Sequence, residues 1–247
     1  MLRHLSFVGM ESDVGDILYC SWIVPLARLA DRIPPGVRVV EREGQTILTV
    51  LTYAHGHFGP RLAGPLRRLF PSPLQSNWRL YVETIDGTAP PEPTVLFLDN
   101  LFDSALYAIG TRLMSDALPS HLPERFTHAI AGDRVTTTII GGNGSAPGMT
   151  VAARAGAPAA HLAPFFDDWP AMVGTLCLQD AAVAAFGEGR LATARIDLPI
   201  DPATVMPMVV EDYRPGDWLR GIGATAAPLC FYVPGVRFRV LSEAIIR

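Results

Sequence analysis

Four polar side chains within the segment PSPLQSNWRLYVETIDG, residues 71–87, could do acid–base and anion-binding chemistry. They occupy every second position and are Asn77, Arg79, Tyr81 and Glu83. The positions between them begin an apolar row of Trp78, Leu80 and Val82. Because successive side chains of a β-strand point to opposite faces, this spacing predicts a strand with one apolar and one polar face. In a closed sheet, the polar face could line a pocket.

Glu83 and Arg79 are the strongest candidates in this row. Partial burial of Glu83 would raise its pKa and suit it to general acid–base catalysis, with Tyr81 as a second catalytic group. The alternative is a structural glutamate paired with an arginine. Arg79 could bind a substrate carboxylate, helped by Asn77, or could lie on a solvated sheet face. Arg79 and Glu83 are roughly 13 Å apart along a regular strand, so we expect no direct contact.

Two further groups of residues could contribute. His121, in the sequence SHLPER, could act as an acid or base, or could be a surface loop residue. Tyr53, His55 and His57 alternate at the end of another predicted strand and could therefore point the same way. We predict that Tyr53 and His55 line the mouth of the pocket, as substrate-binding residues.

His55 and His57 form a His-x-His pair, which could begin a metal site. Two ligands are too few, and His128 or His161 would have to join from distant parts of the chain. We therefore expect no metal ion at the site.

The surrounding sequence supplies the elements that must position these residues. Alternating and β-branched patterns predict strands at 17–25, on both sides of a hairpin at 43–45, at 71–87, 94–100, three within 126–156, and at 190–198, 228–233 and 236–242. Apolar spacing and capping residues predict helices in 25–33, after Asp103 or Ser104, in 169–186, and briefly after Asp201-Pro202. On the helix after Ser104, we expect an apolar stripe of Leu106, Ile109 and Leu113 to pack on the sheet.

This order of elements predicts the fold class. About ten strands, mostly following one another, and three or four helices indicate an α+β fold with a largely antiparallel, closed or nearly closed β-barrel and flanking helices. Residues 1–247 are expected to form a single domain, because all-β and barrel folds of this size often do.

The amino-acid composition limits the kinds of binding partner to be expected. Hydrophobic residues make up 49% of the chain and charged residues 18%, with a formal net charge of −4, which argues against nucleic acid as a partner and favours a small molecule.

There is no apolar run long enough for a membrane span or a secretory signal, so we expect a cytoplasmic protein without membrane association. The three cysteines are widely spaced within apolar runs and are interpreted as buried thiols.

All 20 residues counted as lysine or arginine are arginines. The chain therefore has no side-chain amine that could form a Schiff base with a carbonyl substrate.

The first half of the chain resembles the acetoacetate decarboxylase family. The resemblance covers roughly residues 15–125, and its motifs are Ile33-Pro34-Pro35, Tyr81-Val82-Glu83, Leu98-Asp99-Asn100, Ala105, Arg112 and Pro119, in the family's order. It implies an acetoacetate decarboxylase-like fold for the single domain 1–247, a homo-oligomer, and a strand glutamate at Glu83. It also adds Arg112 to the candidates for binding a substrate acid group.

The sequence departs from the family at the reactive residue. The family's lysine pair follows a proline, and one of these lysines forms an iminium with the substrate ketone. Here Ser120 and His121 follow Pro119, and Thr111 and Leu113 flank Arg112 where the family has glycine and glutamate. The sequence therefore resembles a branch of the family that lacks the Schiff-base lysine, and iminium chemistry is not expected.

Two hypotheses about function follow. The first is a lysine-independent lyase or isomerase, which uses Glu83, Tyr81 or His121 as acid or base on a small or medium apolar carbonyl or carboxylate compound, without a cofactor. The second is a non-catalytic barrel that binds an apolar small molecule, with the polar row serving only to orient it.

Overall fold

The computed structural model describes residues 9–157, 164–187 and 189–246. Within these ranges the chain forms fifteen strands: β1 Met10–Pro25, β2 Val37–Val39, β3 Glu41–Arg42, β4 Gln45–Ala54, β5 Gly59–Pro60, β6 Leu74–Ile85, β7 Thr94–Phe102, β8 Ser120–His121, β9 Arg125–Ala131, β10 Arg134–Ile140, β11 Met149–Ala155, β12 Ala181–Phe186, β13 Arg190–Asp197, β14 Met206–Pro215 and β15 Leu229–Ile245. The helices are α1 Ala105–Met114, α2 Trp169–Cys177 and α3 Asp217–Ile222, and 3₁₀ turns cover Leu26–Arg28, Ala30–Arg32, Arg61–Leu69 and Pro202–Thr204.

Seven strands close into a ring. Their order is β1-β4-β6-β7-β12-β13-β15, and the ring closes because β15 also pairs with β1 over a long antiparallel register, from Met10↔Val240 to Ser21↔Leu229. All neighbours in the ring are antiparallel except β7 and β12. The prediction of a largely antiparallel, closed or nearly closed sheet with flanking helices is confirmed.

The ring has two differently packed faces. On the outer face, Trp78 and Leu80 of β6 join a core with Val151 of β11 and Leu219 of α3. This core binds the ring to a second part of the sheet, which runs from β15 through β14, β11 and β10 to β9. The apolar row of β6 therefore has the packing role predicted for it.

The other face, here called the cavity face, carries the polar row of β6. Its apolar residues include Tyr19 of β1 and Phe231 of β15, whose rings stack with centroids 4.4 Å apart. Helix α2 packs on this face through Met172 and Leu176, which are fully buried. Asp168 begins the helix by accepting a hydrogen bond from the backbone amide of Ala171, so the predicted helix start is confirmed.

The structure corrects three element predictions. Helix α2 ends at Cys177, and residues 181–186 form strand β12 between β7 and β13. Alanine-rich sequence favours a helix, but the small side chains of this segment are buried between neighbouring strands, and tertiary pairing overrides that propensity. The segment 25–33 forms two 3₁₀ turns rather than a helix.

The third correction concerns the closing strands, which are one continuous strand, β15. Pro234 interrupts the sequence pattern but not the strand, because the ladder with β1 skips from Gly15↔Gly235 to Ile17↔Val233. Strand β14 and helix α3, between 206 and 222, were not predicted.

Helix α1 forms where expected, but its apolar stripe faces away from the sheet. Leu106, Ile109 and Leu113 are 69%, 59% and 67% exposed. The helix instead packs through the smaller Ala108, which is buried against Phe58 and Phe102. The apolar spacing identified the helix correctly, but assigned its packed face wrongly.

Gly216, directly before α3, provides a test of how closely the start of this helix packs on the 141–148 loop. A Cβ atom at Gly216 would lie 2.1 Å from the carbonyl oxygen of Gly148. We expect Gly216→Ala to lower the free energy of unfolding by about 1–3 kcal/mol, measured by urea denaturation.

Gly221→Ala is the matched control, because a Cβ there would meet nothing within 4 Å. It lies inside α3 and should be neutral or stabilising by up to about 1 kcal/mol. Equal stability of the two variants would contradict the close approach at Gly216.

Candidate functional site

A largely enclosed cavity of about 60 Å³ lies against the polar row of β6. Its polar lining residues are Tyr19, Tyr53, Gln75, Asn77, Arg79 and Glu243. Its apolar lining comes from Val14, Ile17, Leu51, Phe58, Phe97, Leu118, Ala194, Ile196, Leu198, Phe238 and Val240. An enclosed water needs about 10–15 Å³ by the same kind of measure, so the cavity has room for a very small organic molecule.

Arg79 is the dominant charge of this cavity. Its side chain is 3% exposed, and a terminal nitrogen donates a hydrogen bond to the carbonyl oxygen of Leu176 at 2.7 Å. That carbonyl belongs to the last turn of α2, where the helix dipole presents partial negative charge. The guanidinium also lies 5.5 Å from the ring centre of Tyr19 and 5.7 Å from that of Tyr81. Aromatic rings and one helix end thus hold the cation.

These contacts leave part of the hydrogen-bonding capacity unused. Within the described residues, Arg79 forms no ion pair with a carboxylate, and its buried Nε has no hydrogen-bond partner. The buried hydroxyl of Tyr19 forms no hydrogen bond of regular geometry there, although the Arg79 guanidinium and the Cys177 thiol lie close to it. Burial raises the pKa of Tyr19 well above its usual range, so this hydroxyl stays protonated and can donate. Both groups are suited to a bound anion.

Glu243 of β15 lines the same cavity. One carboxylate oxygen accepts a hydrogen bond from the Ser115 hydroxyl at 2.6 Å, and the other accepts one from the Asp116 amide at 3.3 Å. Burial raises the pKa of Glu243, although the hydrogen bond from Ser115 acts in the opposite direction. A carboxyl group beside a cavity can exchange a proton with a bound molecule, and a raised pKa makes it a better base.

A hydrogen-bonded network fixes the remaining polar wall. The hydroxyl of Tyr53 donates to Asn77 Oδ1 at 2.7 Å, and Asn77 in turn donates to Asn100 Oδ1. Gln75 donates to the same oxygen at 2.6 Å. Asn100 then donates to the hydroxyl of Ser120 at 3.0 Å. The network runs from the cavity to the position after Pro119, so the side chains of Tyr53 and Asn77 are held in place.

His55 lies behind this wall rather than at a pocket mouth. It is 2% exposed, its Nδ1 is 2.7 Å from the hydroxyl of Ser12, and its Nε2 contacts Gln75 Oε1. The imidazole stacks on Phe58 with ring centres 4.2 Å apart. Burial lowers the pKa of His55 to about 4, so the ring is neutral at physiological pH. His55 therefore supports the cavity wall and does not line it.

The structure brings Asn77, Arg79 and Tyr53 to the cavity, as expected from the sequence, but not Glu83. The expectation that Glu83 is partly buried on the polar row is wrong. Its side chain is 51% exposed and lies 3.7 Å from Arg38. Beyond Tyr81, strand β6 pairs with the short strand β2, so Glu83 has already left the ring. The paired, structural alternative describes its position better.

Tyr81 is buried, but its hydroxyl is already engaged, 3.0 Å from Thr49 Oγ1 and 3.3 Å from the carbonyl oxygen of Leu176. Burial raises its pKa, and the neighbouring Arg79 acts in the opposite direction. It positions Arg79 from the side and is not among the residues that line the cavity.

His121 and Arg112 lie in a separate open cleft of about 260 Å³, between α1 and the 141–148 loop. His121 Nε2 is 3.2 Å from Asp99 Oδ1, and its Nδ1 is 2.8 Å from the hydroxyl of Ser145. Arg112 donates to the carbonyl oxygen of Ser120 and lies 3.3 Å from the same Nδ1. Arg79, Glu83 and His121 therefore do not converge on one enclosed volume.

Glu243 was missed by sequence reasoning because a bulge hides its orientation. Phe238 and Val240 line the cavity at a spacing of two, and continued alternation would place Ser242 beside them. The ladder between β13 and β15 shifts register at this point, and the shift turns Glu243 to the cavity. The signal available in the sequence was a lone acidic residue within the apolar run VLSEAII.

The described residues contain neither a cluster of metal ligands nor a membrane-spanning helix. No group of three or more His, Cys, Asp or Glu residues could hold a metal ion there. His128 is hydrogen-bonded to Thr137 and to the backbone of Asp16, whereas His161 lies outside the described residues. All three cysteines are buried thiols, as expected. No described helix is long and apolar enough to cross a bilayer.

The buried His55 predicts a pH-dependent stability. Its pKa is about 4 in the folded chain and about 6.5 when unfolded, so the unfolded chain binds the proton first as pH falls. Its contribution is fully present above about pH 6.5 and is lost as the pH falls to 4. We expect the wild type to lose about 3 kcal/mol more than His55→Gln between pH 7 and pH 4, measured by urea denaturation.

Glutamine can keep a polar contact to Ser12 or Gln75 but does not titrate. Other groups titrate in both proteins, so the difference between the two curves isolates His55. Parallel stability curves for the two proteins would show that the imidazole is not held neutral by burial.

Comparisons with known proteins relate this architecture to solved structures. No family model matches the sequence, and no match is found among curated proteins. The enduracididine biosynthesis enzyme MppR complexed with pyruvate matches with a TM-score of 0.65 and 11% identity, over 99% of this chain and 92% of MppR.

Two further structures match over similar lengths. An acetoacetate decarboxylase-like enzyme from Sphingomonas wittichii RW1 has a TM-score of 0.62 and 12% identity, over 98% of this chain and 94% of that one. Acetoacetate decarboxylase from Legionella pneumophila subsp. pneumophila str. Philadelphia 1 has a TM-score of 0.61 and 9% identity, over 98% of this chain and 88% of that one. The chain therefore has the acetoacetate decarboxylase-like fold.

Proposed function

We propose that this chain is a lysine-independent lyase or isomerase for a small carbonyl compound that carries a carboxylate. The observation that carries the proposal is Arg79, a buried guanidinium beside a cavity with no carboxylate partner among the described residues and with Nε unsatisfied. The substrate carboxylate would bind there, and Glu243, on the wall of the same cavity, would move the proton.

A bound carboxylate would compensate the charge of the buried Arg79. A buried charge is costly unless it is paired and hydrogen-bonded, and a helix C-terminus supplies only about half an elementary charge. A carboxylate provides a full charge and two acceptor oxygens that match the guanidinium fork. The apolar walls around it strengthen this attraction by excluding water.

Besides the carboxylate of the substrate, the site would hold a second carboxyl group, that of Glu243, which could transfer protons. As a base, the Glu243 carboxylate would take a proton from the carbon next to the substrate carbonyl, and the electron pair would move to the carbonyl oxygen. Return of the proton to a different atom completes an isomerisation. In a 3-oxo acid, the carbon–carbon bond to the carboxyl group could break instead: its electron pair moves to the carbonyl oxygen as an enolate, carbon dioxide leaves, and protonated Glu243 then gives its proton to the carbon that lost the carboxyl group. The protonated hydroxyl of Tyr19 is the available donor toward the oxyanion.

The comparisons support this substrate class by analogy. The similar structures include an enzyme complexed with pyruvate and an acetoacetate decarboxylase. Pyruvate and acetoacetate are both small oxo acids, which are the kind of molecule that a buried arginine and a small cavity would select. Reaction types transfer less reliably than folds do. The proposal therefore depends on Arg79 and Glu243.

The catalytic roles predicted for Glu83, Tyr81 and His121 remain predictions. Our proposal gives them no direct role, because Glu83 is on the surface, the Tyr81 hydroxyl is engaged and His121 lies in the separate cleft. Arg112 is likewise not the proposed anchor, since it lines that cleft. A cytoplasmic location, a homo-oligomer and the absence of a cofactor are kept as parts of the proposal.

The alternative function is non-catalytic binding of a small molecule. The mainly apolar lining of the cavity favours it. Binding without proton exchange would distinguish this alternative from the enzyme.

Glu243→Gln tests the proton-transfer step. In deuterium oxide, we expect the wild type to exchange the C3 protons of pyruvate, followed by ¹H NMR, and the variant to be at least about 100-fold slower. Glu83→Gln is the matched control and should exchange at the wild-type rate. Loss of exchange in Glu83→Gln, with Glu243→Gln unchanged, would restore Glu83 as the acid–base residue and reject Glu243.

Arg79→Met tests the anion site. Methionine keeps much of the side-chain volume without the charge, so the fold should survive. We expect the Kd for pyruvate, measured by isothermal titration calorimetry, to rise at least about 30-fold, because a buried charge pair is lost. An unchanged Kd would remove Arg79 from the site. Wild-type binding that depends on Arg79, without any C3 exchange, would favour the non-catalytic alternative.

A further inference from the structure

The cavity borders a second, open space on the surface. A groove of about 370 Å³ lies beside it, and Phe58, Leu118, Val240 and Glu243 line both. The wall between cavity and groove is therefore made of these four side chains. Three of them are apolar, and the fourth is the proposed acid–base residue. A molecule that extends past this wall would pass directly beside Glu243.

The groove is suited to an apolar chain. Its remaining apolar lining residues are Met10, Pro60, Phe70, Pro71, Leu106, Tyr107 and Gly110. Leu106 and Phe70 are 69% and 37% exposed, so the groove offers uncovered apolar surface. The hydroxyl of Ser115 is bonded to Glu243 and that of Thr111 to Ser120 and to the backbone of Tyr107.

The positive charge of Arg79 determines how a ligand would be oriented in the cavity and the groove. Across the described residues that line the cavity and the groove, the only cationic side chain is Arg79. A carboxylate group would therefore lie at the inner end, and an apolar group at the outer end. The atoms between them would lie next to the wall that contains Glu243.

We infer that the substrate is an oxo acid with an extended apolar chain, whose carboxylate binds Arg79 and whose chain lies in the groove. This inference rests on the proposed function, because it uses the same anion site. The inference goes beyond the proposed function in the size of the substrate. The cavity alone accommodates a molecule of about the size of pyruvate, whereas cavity and groove together would accommodate a medium-chain acid. Each buried methylene adds about threefold to fourfold in affinity.

The test is a series of straight-chain 2-oxo acids, from pyruvate through 2-oxobutanoate and 2-oxohexanoate to 2-oxooctanoate, titrated by calorimetry. We expect the Kd to fall about threefold for each methylene that reaches the groove. Leu106→Glu should raise the Kd for 2-oxooctanoate at least tenfold and leave that for pyruvate unchanged. Leu113→Glu is the matched control on the same helix, since Leu113 is 67% exposed but does not line the groove.

The outcomes separate the two proposals. A Kd that is flat across the series, with pyruvate binding that depends on Arg79, overturns the inference and leaves the proposed function standing. Failure of every acid in the series to bind in an Arg79-dependent way overturns the proposed function itself. A second copy of this chain is another candidate for the groove. If Leu106→Glu splits an oligomer in analytical ultracentrifugation, Leu113→Glu does not, and the series is flat, the inference is overturned and the groove is an interface between copies.

Discussion

The placement of one buried positive charge is the constraint on which the rest of the site depends. Arg79 lies on the cavity face of a closed ring, with one terminal nitrogen bonded to the last turn of α2 and two tyrosine rings beside the guanidinium. None of these groups carries a full negative charge at neutral pH. The cost of burying the cation is therefore only partly offset by the protein, which is the physical basis of the anion site that we propose.

The ring and the helix must both be in place for this arrangement to exist. The pairing of β1 with β15 closes the ring and brings Tyr19 and Glu243 to the cavity that β6 lines. Helix α2 then covers the same face and provides the carbonyl oxygen of Leu176. Most of these contacts join residues that are far apart in the sequence, so the site is a product of topology and not of any local motif.

Much of the fold was predictable from the sequence. Of the candidate site, the residues on β6 were predictable, but the carboxyl group of Glu243 was not. The alternation in β6 predicted both faces of that strand through Tyr81, because β6 stays in the ring up to that residue and the register shift of its ladder with β7, where Trp78 pairs with Asp99 and Arg79 with Phe97, leaves the extra residue on β7. The same alternation failed at Glu83, where β6 changes its pairing partner, and it would have failed at Glu243, which follows a register shift. Alternation states which residues share a face, but not where a strand leaves the sheet. Likewise, apolar spacing identified α1 but assigned its packed face to Leu106, Ile109 and Leu113, whereas the buried contact comes from Ala108.

The bond between Arg79 and the carbonyl end of α2 makes the helix part of the binding equilibrium. A carboxylate that bound the guanidinium would share the charge that otherwise interacts with that helix end and with the two tyrosine rings. Ligand affinity and the stability of the last turn of α2 would therefore be thermodynamically linked. Such coupling is reciprocal: whatever free energy the ligand adds to or removes from the helix end is the same amount by which ordering of that end changes ligand affinity. Helix α2 is thus an energetic component of the proposed anion site as well as a cover for the cavity face.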